Sequence, residues 1–177
     1  MPELELIGGH PALDFVNLAE EDALRVAIAI GLITPHEAQH LLPSKPELTH
    51  LGDLRDLLRR IFGAVANEQR PAREDLDSLA HQAAFAARYI QLQPTRNGNI
   101  AKEFDAASSG AALIRYRAVD AAIALLTSEE LPRIKSCPAC AWLFFDASKN
   151  RSRRWCRMET CGSANKSRRY YRRTREA

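Results

Sequence analysis

The sequence Cys137-Pro-Ala-Cys140 is followed, after fifteen residues, by Cys156-Arg-Met-Glu-Thr-Cys161. Two short cysteine loops separated by about 15–20 residues are typical of a zinc site with four thiolate ligands. In a reducing compartment, clustered cysteines more often hold a metal than form disulfides, so zinc is favoured over two disulfide bonds. We therefore predict that Cys137, Cys140, Cys156 and Cys161 bind one structural Zn²⁺, with each sulfur about 2.3 Å from the metal.

This predicted zinc site argues against an enzyme. Four thiolates complete the zinc tetrahedron and leave no position for water or substrate. The sequence also contains no Gly-rich phosphate loop, no Gly-x-Ser-x-Gly elbow and no His-Glu-x-x-His. Glu20, Glu21 and Asp22 are adjacent, and adjacent side chains diverge on a helix, so they do not form a catalytic carboxylate pair. We expect a protein without catalytic activity.

The charge of the chain is divided unevenly between its two parts. Residues 133–177 contain thirteen Lys and Arg against three Asp and Glu, a net charge of +10, whereas residues 1–132 contain twelve against nineteen, a net charge of −7. A zinc ion with four thiolates adds −2 and leaves about +8 on the C-terminal part. An acidic body with a basic appendage that contains a zinc site indicates binding to nucleic acid.

The basic residues after Cys161 lie among good helix formers and form no apolar stripe, so we predict an exposed basic C-terminal helix. Arginine can clamp phosphates, and tyrosine can lie along a sugar or a base. The turn before Cys156 extends the same positive field. The candidate nucleic-acid contacts are Arg151, Arg153, Arg154, Lys166, Arg168, Arg169, Tyr170, Arg172 and Arg173.

Other interpretations of this basic segment stay open at the level of sequence. A basic end can be an ordinary solvated terminus, and a zinc finger can dock an acidic protein or hold a homodimer. Stacking of Tyr170, Tyr171 and Trp155 on unpaired bases would instead indicate RNA. DNA is the favoured partner because the basic run is directly linked to the metal site, although arginine and lysine alone specify no base sequence.

The first 132 residues are predicted to form a mainly helical domain. Helices are indicated at about 20–30, 35–42, 44–65, 71–87 and 111–128, and the segment Thr34-Pro-His-Glu37 has the pattern of a capping box. Alternation over residues 89–93, Asn97-Gly98 and a return strand through Phe104 predict a small β-hairpin. Leu131-Pro132 ends the last helix.

We place the domain boundary there: residues 1–132 form the helical domain, and residues 133–177 form a zinc finger made of a knuckle, a β-hairpin and the basic helix, in a treble-clef-like arrangement. The stretch Val26–Ile33 follows acidic residues, unlike a secretory signal, and no segment is long enough to span a bilayer. We therefore expect a cytoplasmic protein that does not enter a membrane.

Three polar residues of the helical part are candidates for binding a small-molecule effector. Asp14 and Asn17 lie three residues apart on an incipient helix, and Arg55 lies beside an apolar stripe. They could bind an anionic ligand, but an Asp14–Arg55 pair that only fixes the chain entry is the stronger interpretation. In the finger, we predict that Asp146 pairs with Arg153 or Arg154 and fixes the turn.

The stretch Trp142–Gly162, with Lys166 and Arg168-Arg169-Tyr170, resembles the CGNR zinc-finger family. That family joins such a finger to an N-terminal helical ABATE domain, and His10–Asn17 and Leu54–Arg59 are similar to recurring segments of that domain. The resemblance implies a stress-induced, DNA-binding transcription regulator whose helical domain senses a signal or mediates association.

One motif departs from the family pattern. Where the family has Cys-Gly-Asn-Arg-Ala-Lys, this chain has Cys161-Gly-Ser-Ala-Asn-Lys166, which retains the zinc ligand but lacks the arginine. We expect this difference to affect DNA affinity or sequence preference and to leave zinc binding intact.

Overall fold

The computed structural model of the chain describes residues 4–17, 23–41 and 45–165. The predicted basic helix lies outside these residues, together with the candidate contacts Lys166, Arg168, Arg169, Tyr170, Arg172 and Arg173. The helices are α1 (Pro11–Asn17), α2 (Ala23–Ala29), α3 (Pro35–Ala38), α4 (Lys45–Ala66), α5 (Arg73–Ala86), α6 (Ala106–Ser109) and α7 (Leu113–Leu126). The strands are β1 (Ile90–Pro94), β2 (Ile100–Phe104), β3 (Ile134–Ser136) and β4 (Leu143–Phe145).

The predicted fold class, a helical N-terminal part followed by a small zinc finger, is confirmed. Helix α3 begins with the expected capping box, since the Glu37 backbone N–H donates to Thr34 Oγ1 at 3.1 Å and the Thr34 backbone N–H donates to Glu37 Oε2 at 2.7 Å. The predicted hairpin is also present: β1 and β2 pair antiparallel, with Ile90 opposite Phe104, and Gly98 adopts φ 82° in the turn.

The hydrophobic core is built around α4, α1 and α7. The apolar stripe of α4 is buried as its periodicity predicts, and α1 contributes four fully or nearly fully buried apolar side chains. On α5, Leu79 and Ala86 are buried whereas Leu76 is 38% exposed. Helix α5 therefore covers the core by a narrow face, and the rest of its surface is open to solvent.

Strands β3 and β4 form a second antiparallel hairpin, which packs against α1 and α4. Ile134 and Leu143, one from each strand, are both 3% exposed and belong to the main core. The zinc finger therefore rests on the helical domain through buried apolar contacts. Among the described residues, no helix is both long enough and apolar enough to span a bilayer.

Candidate metal centre

The first pair of cysteines lies on a tight turn that follows β3. The Cys137 backbone N–H donates to the Trp142 carbonyl at 2.8 Å, and the Ala141 N–H donates to the Cys137 carbonyl at 2.8 Å. Ala141 adopts φ 62°, a left-handed conformation that is uncommon for a residue with a Cβ. These contacts close the turn and bring the side chains of Cys137 and Cys140 to the same side.

The second pair of cysteines lies near the end of the described chain. Cys156 is buried, and Cys161 lies in a π-helical turn, Met158–Gly162, that continues as helix to Asn165. An extended residue, Arg157, and this wide helical turn therefore connect the two cysteines, whose sulfurs lie close to those of the first pair.

The four sulfur atoms fit a single zinc ion. They lie within 4.8 Å of one another, with Cys140 Sγ 3.5 Å from Cys156 Sγ and Cys156 Sγ 3.6 Å from Cys161 Sγ. A disulfide needs about 2.05 Å between sulfurs, whereas four sulfurs about 2.3 Å from a central ion lie about 3.8 Å apart. Four thiols are also the donors that zinc prefers. The arrangement can hold one zinc ion and leaves no coordination position for a substrate.

The surroundings of Cys137, Cys140 and Cys156 shift the pKa values of their thiols in different directions. Burial raises the pKa of Cys137, but hydrogen bonds from the backbone N–H groups of Cys156, Ala139 and Cys140 more than offset it and lower that pKa to about 7. Burial is also the largest cause that raises the pKa of Cys140 and of Cys156, and for Cys156 the three neighbouring thiols raise it further. A cation among them reverses this effect, because a bound metal ion favours the thiolate form.

A small apolar shell surrounds the sulfurs. Phe144 is fully buried and packs with Cys137 and Cys156, while Ile7 and Trp155 pack against this cluster. Ile7 belongs to the N-terminal segment, so the helical domain contributes a side chain to the shell of the metal centre. Cys140 alone among the four cysteines is exposed.

The turn between β4 and Cys156 is organised around Asp146, which is fully buried. Its Oδ1 accepts from the backbone N–H and the hydroxyl of Ser148 at 3.0 and 2.6 Å, and its Oδ2 accepts from Lys135 Nζ at 2.6 Å and from the Arg153 backbone N–H at 3.0 Å. Burial raises its pKa, but these donors outweigh it and lower the pKa to about 2.

The prediction for Asp146 was therefore right about its place and wrong about its partner. It fixes the turn, but the ion pair is formed with Lys135, because Lys135 lies on β3 directly beside the strand that leads into Asp146. The Arg153 guanidinium group instead lies 4.8 Å from the Phe144 ring and donates to the carbonyls of Phe145, Trp155 and Cys156.

The candidate nucleic-acid contacts that fall on described residues therefore have different environments. Arg151 and Arg154 are exposed, and Arg154 lies 5.3 Å over the Trp155 ring. Arg153 donates to carbonyls inside the finger, and so does Arg133, whose guanidinium group donates to the carbonyls of Asp146 and Ser148. The internal roles of Arg133 and Lys135 were missed, since a basic residue in a basic segment gives no sign in the sequence of which way its side chain points.

The candidate effector residues Asp14, Asn17 and Arg55 are all buried, and each has a hydrogen-bond partner inside the protein. Asp14 Oδ1 accepts from the Gly8 backbone N–H at 2.7 Å, and burial raises the pKa of Asp14. Arg55 Nε donates to the Phe15 carbonyl at 3.2 Å, so the expected Asp14–Arg55 ion pair does not form among the described residues.

The contacts of Asn17 reach the zinc finger. Asn17 Nδ2 donates to the Leu143 carbonyl at 2.7 Å, and Asn17 Oδ1 accepts from the Leu143 N–H at 3.0 Å. Next to it, the Phe145 N–H donates to the Gly8 carbonyl at 2.7 Å. The amide of Asn17 and the backbone of Gly8 thus occupy the edge of β4 that β3 leaves open.

These features define a class, namely a helical protein with a C-terminal four-cysteine zinc finger. Residues 9–129 match the ABATE family, described as "putative stress-induced transcription regulator", and residues 133–174 match the CGNR zinc finger. The chain therefore belongs to the ABATE family and carries a CGNR zinc finger, in the order that the sequence predicted. A search of curated proteins gave no match. The domain boundary after residue 132 stays a prediction.

Proposed function

We propose that this protein is a DNA-binding transcription regulator, in which the zinc finger binds the phosphate backbone and the helical domain acts as sensor or association module. The observation that carries the proposal is the exposed side chains of Lys149, Arg151 and Arg154. Among the described residues none of the three has an ion-pair partner, and the turn that bears them is fixed at both ends, by Asp146 and by the zinc ligand Cys156.

The electrostatics of the chain support the same function. Cations without an ion-pair partner in the protein are available to phosphates, and each phosphate that is neutralised releases counterions into solution. The matched CGNR segment continues to residue 174, and its last residues, including Lys166 and Arg168, add further positive charge to the finger. The zinc ion acts structurally in this proposal, and the protein has no catalytic role.

The proposal is tested by measuring the affinity of the zinc-loaded protein for duplex DNA as a function of salt. If about five or six phosphates are neutralised, the logarithm of the association constant should fall with the logarithm of salt concentration with a slope near −5. Binding of a randomised duplex pool would also reveal the preferred sequence. A slope near zero, or the absence of binding at 50 mM salt, would contradict the proposal.

Cys156→Ser provides the matched control. This change removes one of four zinc ligands and keeps the charge of every arginine and lysine. If the finger must be folded to bind DNA, Cys156→Ser should lose most of the affinity; if the basic segment binds as an unstructured polycation, the affinity should be unchanged. The second result would exclude the finger as the binding element.

A second candidate function is supported by a groove of about 620 Å³ between the N-terminal segment and the finger. Its lining combines the apolar side chains of Leu6 and Met158 with the guanidinium group of Arg154, which has no ion-pair partner among the described residues, whereas Arg157 is already paired with Glu5 at 2.7 Å. Such a groove suits an extended acidic segment of a partner protein, as in the adaptor interpretation. Direct binding at equal salt to duplex DNA, single-stranded RNA and an acidic peptide separates the candidates: the second function requires that the peptide bind more tightly than either nucleic acid.

The effector and the association state belong to the same proposal. The helical domain has an open apolar groove of about 730 Å³ lined by Leu24, Ile28 and Pro35, among others, which is large enough for a small apolar effector. Light scattering with and without DNA would decide between a monomer and a homodimer. As a regulator of transcription, the protein would act in the cytoplasm of a bacterial-type cell.

A further inference from the structure

We propose that Lys135 and Asp146 act together as positioning residues for the DNA-binding side chains of the arginine loop, which we define as residues 149–154. This inference rests on the proposed function. It assigns to a lysine within the most basic part of the chain a role that involves no contact with DNA.

The ammonium group of Lys135 is satisfied inside the finger. Lys135 Nζ donates to Asp146 Oδ2 at 2.6 Å, to the Arg153 carbonyl at 3.0 Å and to the Arg151 carbonyl. An ammonium group has three N–H donors, so these three acceptors account for all of them. A group with every donor engaged in the protein must break internal hydrogen bonds before it can bind a phosphate.

These acceptors are the backbone of the arginine loop itself. The carbonyls of Arg151 and Arg153 accept from the Lys135 ammonium group, while the side chains of Arg151 and Arg154 in the same loop are exposed. Arg151 also adopts φ 50°, a left-handed conformation that an L residue with a Cβ holds only when its surroundings enforce it.

Asp146 completes the arrangement by binding both Lys135 and the loop backbone. It is fully buried and binds Lys135, Ser148 and the Arg153 backbone, so it joins the two ends of the loop. Asp146 is buried whereas the Lys135 side chain is 29% exposed, and hydrogen bonds satisfy the remaining atoms of this pair, as a buried charge requires. A loop fixed before binding loses less conformational freedom when it meets DNA, which raises affinity without adding a contact.

The salt dependence of binding separates positioning from direct contact. In Lys135→Met, we expect the affinity for duplex DNA to fall about tenfold while the slope against salt stays that of the wild type, because the number of neutralised phosphates is unchanged. Lys149→Met is the matched control, a loop lysine that faces solvent; its slope should become less steep by about 0.9. The same change of slope in Lys135→Met, or an unchanged affinity, would overturn the proposal.

Asp146→Asn tests the same role by removing a negative charge, whereas Lys135→Met removes a positive one. Removal of a negative charge near DNA should strengthen binding if electrostatics alone decides, whereas loss of the Lys135 partner should weaken it about tenfold. Tighter binding would therefore overturn the proposal. The double variant Lys135→Met/Asp146→Asn should bind no more weakly than either single variant, since the two residues act as one unit.

A measurement without DNA keeps this inference separate from the proposed function. Trypsin cleaves after arginine, so mass spectrometry can follow cleavage after Arg151 and Arg154 in the full-length, zinc-loaded protein. Lys135→Met and Asp146→Asn should accelerate these cleavages at least tenfold at an unchanged ratio of one zinc per chain, and Lys149→Met should not. Unchanged cleavage would overturn the proposal, whereas accelerated cleavage in a protein that binds no DNA would support the ordering of the loop and overturn only the proposed function.

Discussion

At the scale of single residues, Asn17 shows how one side chain joins two parts of the chain. Its amide offers a donor and an acceptor in the spacing of a peptide group, and both bind the backbone of Leu143, 126 residues away in sequence. The side chain therefore substitutes for one residue of a third strand. Because Leu143 is nearly fully buried, water cannot replace these hydrogen bonds if the amide is removed.

We therefore predict that Asn17→Ala lowers the free energy of unfolding by about 2–4 kcal/mol, because it leaves a buried N–H and a buried C=O without partners. Urea denaturation of the zinc-loaded protein measures this effect. Asn67→Ala, at an exposed position, is the control and should change stability by no more than about 0.5 kcal/mol. Equal effects of the two variants would show that the Asn17 amide does not join the two parts of the chain.

Glu37 gives a prediction about pH. The hydrogen bonds from the Arg117 guanidinium group, at 2.7 and 2.9 Å, outweigh burial and lower the pKa of Glu37 from 4.5 to about 2. A carboxylate with a lowered pKa in the folded state stabilises the fold above its ordinary pKa, and this stabilisation is lost as pH falls through the folded-state value. The relevant window therefore lies between about pH 4.5 and pH 2.

As pH falls through this window, the stability of the wild type should approach that of Glu37→Gln. Because the pair is partly exposed, we expect a difference in unfolding free energy of about 1 kcal/mol at pH 5.5, falling below half of that value by pH 3. Acid also releases zinc, but from both proteins alike, so the difference is preserved. Glu68→Gln, at an exposed residue, serves as control. A difference for Glu37→Gln that is constant with pH would contradict the assignment of the ion pair.

At the scale of elements, the N-terminal segment before α1 forms a hydrogen bond with the free edge of β4. The Gly8 carbonyl accepts from the Phe145 N–H, and a Cβ at Gly8 would lie 2.7 Å from the Asp14 backbone nitrogen and 2.8 Å from its Oδ1. Such distances are shorter than any Cβ contact can be, so the segment must be glycine to pass this close to α1.

Two glycine substitutions should consequently have opposite effects on the stability of the protein. We expect Gly8→Ala to destabilise the protein by about 1–3 kcal/mol or more, because the backbone of the segment must move away from α1. Gly63→Ala should stabilise it by about 0.5–1 kcal/mol, since Gly63 lies inside α4 and, apart from the adjacent backbone of that helix, no atom lies within 4 Å of its added Cβ. Thermal denaturation measures both; a stable Gly8→Ala protein would exclude the close approach of the segment to α1.

The elements also show what the sequence can and cannot predict. Helices α3, α4 and α7, the β1–β2 hairpin and the cysteine set follow from local signals: the Thr34 cap, the periodicity of α4, the Asn97-Gly98 turn and the cysteine spacing. The role of Asn17, the partner of Asp146 and the internal contacts of Arg153 depend on which strands and helices meet. Periodicity holds no information about such contacts between distant segments, so Asn17 was assigned to a ligand, Arg153 to DNA, and Asp146 to an arginine partner instead of Lys135.

At the scale of the whole molecule, the finger and the helical domain share one hydrophobic core. Ile134 and Leu143 of the finger hairpin pack among the residues of the helices, and Ile7 packs against the apolar shell of the metal centre. The sequence alone suggested two units that meet at residue 132. The buried contacts across that position instead predict that the stability of the helices depends on the zinc ion.

Removal of zinc should therefore lower the melting temperature of the whole chain in a single transition. We expect a fall of about 10 °C or more on chelation, since a structural zinc site contributes several kcal/mol and each kcal/mol corresponds to about 2–4 °C in a chain of this size. Differential scanning calorimetry with far-ultraviolet circular dichroism measures it. Cys156→Ser should melt at the chelated temperature in either condition. A helical transition that stays at its original temperature would show that the two parts unfold independently.

The covered edge of β4 also bears on how copies of this protein meet. A two-stranded hairpin ordinarily exposes unpaired amides that recruit a strand from another molecule, which is a common route to aggregation. Here the Asn17 amide and the Gly8 carbonyl occupy that edge within the same chain. Strand addition at the β4 edge is blocked for as long as α1 stays docked, so self-association at this edge requires the first helix to detach.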